Sequence, residues 1–145
     1  MSRSVKEIFD IAIHLIDAQN ESSGATETAD TKEYRLRTPN LLNSIINRAY
    51  PYSDTYQGVA EKRPVHPLVL SMTDLVDLDD YLCLTVLPYG LASLLVNPEG
   101  EGNLASFFWQ MFEEGLVAAR NSLPNTVEPI ESVYGGLEYG WFSKW

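Results

Sequence analysis

The sequence is poor in the residues that make chemistry. It has one cysteine, Cys83, and two histidines, His14 and His66, in 145 residues. A single cysteine excludes an internal disulfide and any metal cluster built on several thiolates. Cys83 lies in an apolar run, so it reads as a buried, inert thiol. His14 sits between Ile13 and Leu15 on the edge of a helix, as a partly exposed side chain. His66 lies between Pro64 and Pro67, with no partner at a useful spacing. No His-Glu-x-x-His, no pair of histidines at ligand spacing and no glycine-rich phosphate loop is present. Acid pairs such as Glu113-Glu114 are weak signals for two-carboxylate catalysis. The expectation is no catalytic, metal-binding or cofactor-binding residues, and no enzyme.

Bases are scarce too. Ten Lys and Arg face 20 Asp and Glu, for a net charge of −10. Binding nucleic acid by phosphate neutralisation needs a basic face, and anionic membrane surfaces need the same. The acidic balance permits two opposite roles: a surface along which DNA passes without sticking, or a surface that imitates DNA. No basic-then-apolar leader opens the chain. Pro88 and Gly90 interrupt the longest apolar run, which falls short of the roughly 18 residues a membrane span needs. The expectation is a soluble protein made in the cytoplasm, with no membrane partner.

What is present is a helical pattern. Hydrophobic residues make up 45% of the chain, enough for one core, and the length suits one domain. Ser4-Val5-Lys6-Glu7 reads as a capping box in which Ser4 meets the Glu7 amide and Glu7 reaches back. Val5, Ile8, Phe9, Ala12 and Ile16 follow on one stripe, with Ile11 and Leu15 beside it, and the helix should fade near Gln19-Asn20. Residues 21–29, "ESSGATETA", read as a flexible polar loop. Asp30-Thr31-Lys32-Glu33 repeats the capping arrangement and opens a second helix. Tyr34, Thr38, Leu41, Leu42, Ile45, Ile46 and Ala49 mark that helix, and Pro39 should kink or split it. Residues 51–72 hold Pro51, Pro64 and Pro67 and read as a long extended excursion, with a short β-hairpin possible within 55–75. Lys62-Arg63 is its only basic pair.

Residues 76–96, "VDLDDYLCLTVLPYGLASLLV", open on three acids. Asp77 or Asp79 should cap a third helix, with Asp79 and Asp80 in its first turn. A calcium loop would need a glycine turn and a distal glutamate, which are missing. A helix apolar on every side is a central one. Pro88 should kink it, and Gly90 should admit a close neighbour. "NPEGEG" at 97–102 is a break. A fourth helix then runs from about Asn103, with Leu104, Phe107, Phe108, Met111, Phe112 and Ala119 on its core face. Residues 124–145 show no helical period, yet carry Val127, Ile130, Val133, Tyr134, Leu137, Tyr139, Trp141, Phe142 and Trp145. They are too apolar for the disordered class, so they should pack on the body or on another subunit.

The order and spacing of "SVKEIFDIAIHLI", "LLNSIINRAYPYSD", "VDLDDYLCLTVLPYGLASLL" and "ASFFWQMFEEGLVAA" resemble the head-to-tail connector, or adaptor, proteins of tailed bacteriophages and prophages. The resemblance covers roughly residues 4–123, with "VYGG" at 133–136 as a further tie. It implies a mainly α protein: a small four-helix bundle with a long extended loop or hairpin and an extended C-terminal arm. Residues 1–123 would form the connector domain and 124–145 the aromatic arm. The family role is structural, and includes no catalysis. The protein would sit in the virion as a ring of its own copies, a dodecamer by analogy. The ring would join the portal protein to the tail or stopper protein and extend the channel through which DNA passes without sequence-specific binding. Candidate contacts to partners or neighbouring subunits are Tyr52, Tyr56, Lys62, Arg63, Tyr134, Tyr139, Trp141, Phe142 and Trp145. Candidate channel-facing acids are Asp74, Asp77, Glu99 and Glu101. The rival expectation is an acidic DNA mimic that inhibits a host nucleic-acid-binding protein; it would need carboxylates aligned along one face.

Overall fold

A computed structural model describes residues 2–18, 21–58 and 60–122. The chain is mainly helical with a small two-stranded sheet. In order come β1 (Arg3–Ser4), α1 (Val5–Leu15), α2 (Lys32–Ala49), β2 (Leu75–Val76), α3 (Leu87–Val96) and α4 (Gly102–Ser122).

Helix α1 starts where the chain says it should. Ser4 is its cap, and its hydroxyl accepts the Glu7 amide at 3.3 Å. The return half of the box does not form; the Glu7 carboxylate sits 3.8 Å from Arg3 instead. The first amides of a helix lack intrahelical partners. Here Val5 and Lys6 donate to the carbonyls of Asp74 and Met72, at 3.0 and 2.9 Å. The same junction carries the antiparallel pairing of Arg3 with Val76 and Ser4 with Leu75. Thus β2 pairs with the N-terminus, and the hairpin expected within 55–75 is absent among the described residues. α1 buries Val5, Ile8, Phe9, Ala12 and Ile13 and ends at Leu15, earlier than expected.

Helix α2 follows Thr31, whose hydroxyl makes no cap to the helix. It donates to the Thr26 carbonyl at 2.6 Å and accepts the Thr28 amide at 2.9 Å. The expected second capping box is therefore replaced by a closed turn over residues 26–31. Thr26 ties that turn to α1 through Asp10 at 2.6 Å. Pro39 does not split α2, which runs unbroken from Lys32 to Ala49.

Asp79 caps the third helix: its carboxylate accepts the Leu82 amide at 3.4 Å, and its carbonyl accepts Cys83 at 3.0 Å. Ser53 braces the cap by donating to Asp79 at 2.8 Å and accepting the Asp79 amide at 3.3 Å. Asp80, in the first turn, takes a two-pronged pair of hydrogen bonds from Arg3, both 3.1 Å. The helix then winds as a π-helix over Leu82–Val86 before α3 begins. Proline at 88 has no amide to offer the preceding turn, and its ring crowds the carbonyl four residues back. The wider π turn just before it relieves that crowding.

α3 is the centre of the fold. It lies against α1, α2 and α4, and buries Leu87, Leu91, Ala92, Leu95 and Val96. Residues Leu82–Glu99 span 18 residues at mean hydropathy 1.2, long enough for a membrane span after all, but 61% of the stretch is buried inside the fold. Gly90 admits the neighbours its position predicts. A Cβ there would lie 3.0 Å from Phe112 and 3.2 Å from Ile45. Gly115 does the same from the α4 side, where a Cβ would meet Val86 at 2.9 Å. The buried face of α4 is Ala105, Phe108, Phe112, Leu116 and Ala119. The expected core positions Leu104 and Phe107 are instead 37% and 53% exposed. Phe108, Phe112 and Ala119 are buried as expected, and the buried face is turned from Leu104 and Phe107 toward Ala105 and Leu116, with Gly115 close against Val86.

Candidate interaction surface

The excursion after α2 is extended, yet it is held down tightly. A 3-10 turn, Tyr50–Tyr52, follows the helix. From Pro64 onward the buried positions are His66 and Val69, with Met72 half-buried. That is a period of three, typical of polyproline-type chain, not the period of two of a strand. Pro64 and Pro67 fix φ and lack amides, which explains why a hairpin does not form here.

Two asparagines one helical turn apart hold this segment. Asn43 donates to the Val69 carbonyl and accepts the Val69 amide, both at 2.9 Å. Asn47 accepts the His66 amide at 3.0 Å and donates back to the Asn43 carbonyl at 3.1 Å. An amide side chain carries one acceptor and one donor group, so it can pair a main chain as a neighbouring strand would. His66 adds a third tie. Its Nδ1 faces the Pro67 carbonyl at 2.7 Å, and its Nε2 accepts the Asp77 amide at 2.9 Å. A carbonyl only accepts, so Nδ1 carries the proton and the neutral ring bridges the excursion to the cap of the third helix. His66 is a structural link, contrary to its lack of an evident partner in the sequence.

The side chains left outside are apolar. Val65, Leu68, Leu70 and Leu75 are 65%, 69%, 77% and 61% exposed. Of the candidate contact residues, three gather around Tyr50. Tyr56 meets its ring edge-on at 5.2 Å, and Lys62 and Arg63 line a cleft of about 290 Å³ with Tyr50, Gln57, Pro64 and Val65. Tyr52 is apart from them. It lines a groove of about 390 Å³ with Arg48, Trp109, Phe112 and Leu116, where Arg48 lies 5.3 Å over the Trp109 ring. Tyr134, Tyr139, Trp141, Phe142 and Trp145 lie outside the described residues.

Some of the candidate channel acids serve local structure. Asp74 accepts the Leu70 and Ser71 amides at 2.6 and 3.0 Å and the Ser71 hydroxyl at 3.1 Å, closing the turn before β2. Burial, then the neighbouring Glu99 carboxylate, pushes the Tyr34 hydroxyl up to about 12. The carboxylates of Asp77 and Glu101 stand at the exposed surface, while their backbones accept Thr55 at 2.8 Å and Ala105 at 2.9 Å. Cys83 is fully buried, and burial pushes its thiol up to about 12. Among the described residues no group of three His, Cys, Asp or Glu is placed to hold a metal ion.

Asp74 and Asp80 predict an acid-limb signature. Amides of Leu70 and Ser71 hold the Asp74 carboxyl below its ordinary 3.8, and the Arg3 hydrogen bonds do the same for Asp80. A carboxyl depressed on folding stabilises above its unfolded value and loses that contribution as pH falls through its folded value. Asp80→Asn removes one such group. Its urea midpoint should fall less than the parent's between about pH 5 and pH 2. Parallel slopes for the two proteins would show that Asp80 is not a folded-state anion of this kind.

No family model matches the chain, and neither a curated protein nor a solved structure gives a match.

Proposed function

We propose that this chain is a structural head-to-tail connector whose four helices form a small four-helix bundle. Copies of it form a ring between a portal protein and a tail or stopper protein in a tailed phage particle. The observation that carries this reading is the set of exposed apolar side chains Val65, Leu68 and Leu70 on a firmly anchored excursion, with Leu75 exposed just after it. A soluble monomer gains nothing from clamping an extended chain so that its leucines face water; a subunit with protein neighbours does. The net charge of −10 supports the conduit role, since carboxylates repel a passing DNA backbone. Tyr52 and the Tyr56–Lys62–Arg63 cluster supply contacts to neighbours, and the aromatic residues after Gly136 reach the portal or tail protein.

The test is electron microscopy of particles, with solution mass measured for the chain alone and mixed with portal protein. The expected result is a ring at the portal-to-tail junction and a discrete multiple of the 16.3 kDa chain mass. A chain absent from particles, and monomeric in the presence of portal and tail proteins, would end the proposal.

A further inference from the structure

We infer that the ridge formed by residues 62–70 is a docking surface, and that in the unassembled protein its occupant is residues 127–134 of the same chain. The inference does not rest on the ring, because it concerns the isolated molecule.

Charge is the first argument. Lys62 and Arg63 are exposed, and among the described residues neither joins an ion pair, in a chain with twice as many acids as bases. A basic pair kept unpaired amid so many carboxylates fits an acidic occupant. Beside it stand Val65 and Leu68, three residues apart and 65% and 69% exposed. The ridge therefore asks for an extended segment that alternates acids with apolar residues at a spacing of three.

The chain contains such a segment. Residues 127–134 read "VEPIESVY". Apolar side chains fall at Val127, Ile130 and Val133, and acids at Glu128 and Glu131. Pro129 disfavours a helix and favours extended chain, as Pro64 and Pro67 do on the ridge. Two extended segments with matching periods can lay apolar on apolar and acid on base along their shared length.

Reach is the third argument. The final turns of α4 are placed beside the base of the excursion, because Leu116 and Val117 share a groove with Tyr52. Two residues earlier, Tyr50 lines the Lys62–Arg63 cleft. From Ser122 to Val127 an extended chain spans about 17 Å. A segment tethered this closely acts at an effective concentration on the order of millimolar, well above a dilute second copy. That favours the same chain over a neighbour in the isolated protein.

Disulfide trapping in the full-length chain tests this. Leu68→Cys and Ile130→Cys are introduced together, and oxidation is followed by peptide mapping and by mass under non-reducing conditions. The buried Cys83 does not compete. The control pair is Leu36→Cys with Ile130→Cys, since Leu36 is 68% exposed on α2. The expected result is a 68–130 link in a species of monomer mass, formed faster than the control link. Lys62→Glu with Arg63→Glu should slow it about fivefold to tenfold, the loss expected of two surface ion pairs. Adding Glu128→Lys and Glu131→Lys should restore the rate. Equal rates for the two cysteine pairs, links found only between copies, or indifference to charge reversal would each overturn the inference.

Discussion

Leu91→Asp should leave no soluble, cooperatively folded protein, and Leu87→Asp should do the same. Both side chains are fully buried on α3, the helix against which α1, α2 and α4 all lie. An aspartate at either position puts a carboxylate into the buried apolar cluster that also holds Leu42, Ile45 and Phe112. Leaving such a charge uncompensated costs several kcal/mol, and small domains have only about 5–15 kcal/mol of stability in total. The central helix has no outer side toward which the charge could turn. Expression in soluble form and a urea transition followed by circular dichroism are the measurements. Leu36→Asp is the matched control: its side chain is 68% exposed on α2, and it should fold normally. Cooperative unfolding of both α3 variants would mean that α3 is not the core.

Phe112→Ala should cost about 3–5 kcal/mol, while Phe107→Ala on the same helix should stay within about 0.5 kcal/mol. Phe112 is fully buried, and its ring fills the space left by Gly90 while meeting Trp109 at 5.0 Å. Removing it opens a cavity beside Gly90, which has no side chain to fill it. Phe107 is 53% exposed and adjoins Phe108 at 5.8 Å. Denaturant midpoints at equal slope compare the two. Similar losses for both would contradict the register assigned to α4.

That pair also marks where sequence reasoning works and where it stops. Helix α1 was legible because Ser4 and the stripe from Val5 to Ala12 agree with each other. The centrality of α3 was legible because a helix apolar all round has no solvated face. The preference of aspartate for a cap narrowed the start of the third helix to Asp77 or Asp79, and the Leu82 amide selects Asp79. The face of α4 was legible in part: Phe108, Phe112 and Ala119 are buried as read, and Leu104 and Phe107 are not. Leu104, Phe107, Phe108, Met111 and Phe112 offer two overlapping stripes, and only the fit of Gly115 against Val86 selects between them. The pairing of β2 with the N-terminus was hidden as well, because two residues carry no periodic signal. Of the candidate surface, the extended excursion and its basic pair were visible through their prolines. Its anchoring was not: Asn43, Asn47 and Ser53 look like ordinary polar positions, and their partners are 19 to 26 residues distant. The one available sign was the spacing of the two asparagines by a full helical turn.

The grip of those asparagines has a consequence for how this molecule changes over generations. Asn43 and Asn47 hold the amide and carbonyl of Val69 and the amide of His66, all main-chain atoms that every residue type but proline supplies. The side chains at 65, 68 and 70 are therefore not what the asparagines grip. A lineage can rewrite them residue by residue, trading one recognition specificity for another, while the helical scaffold beneath stays the same.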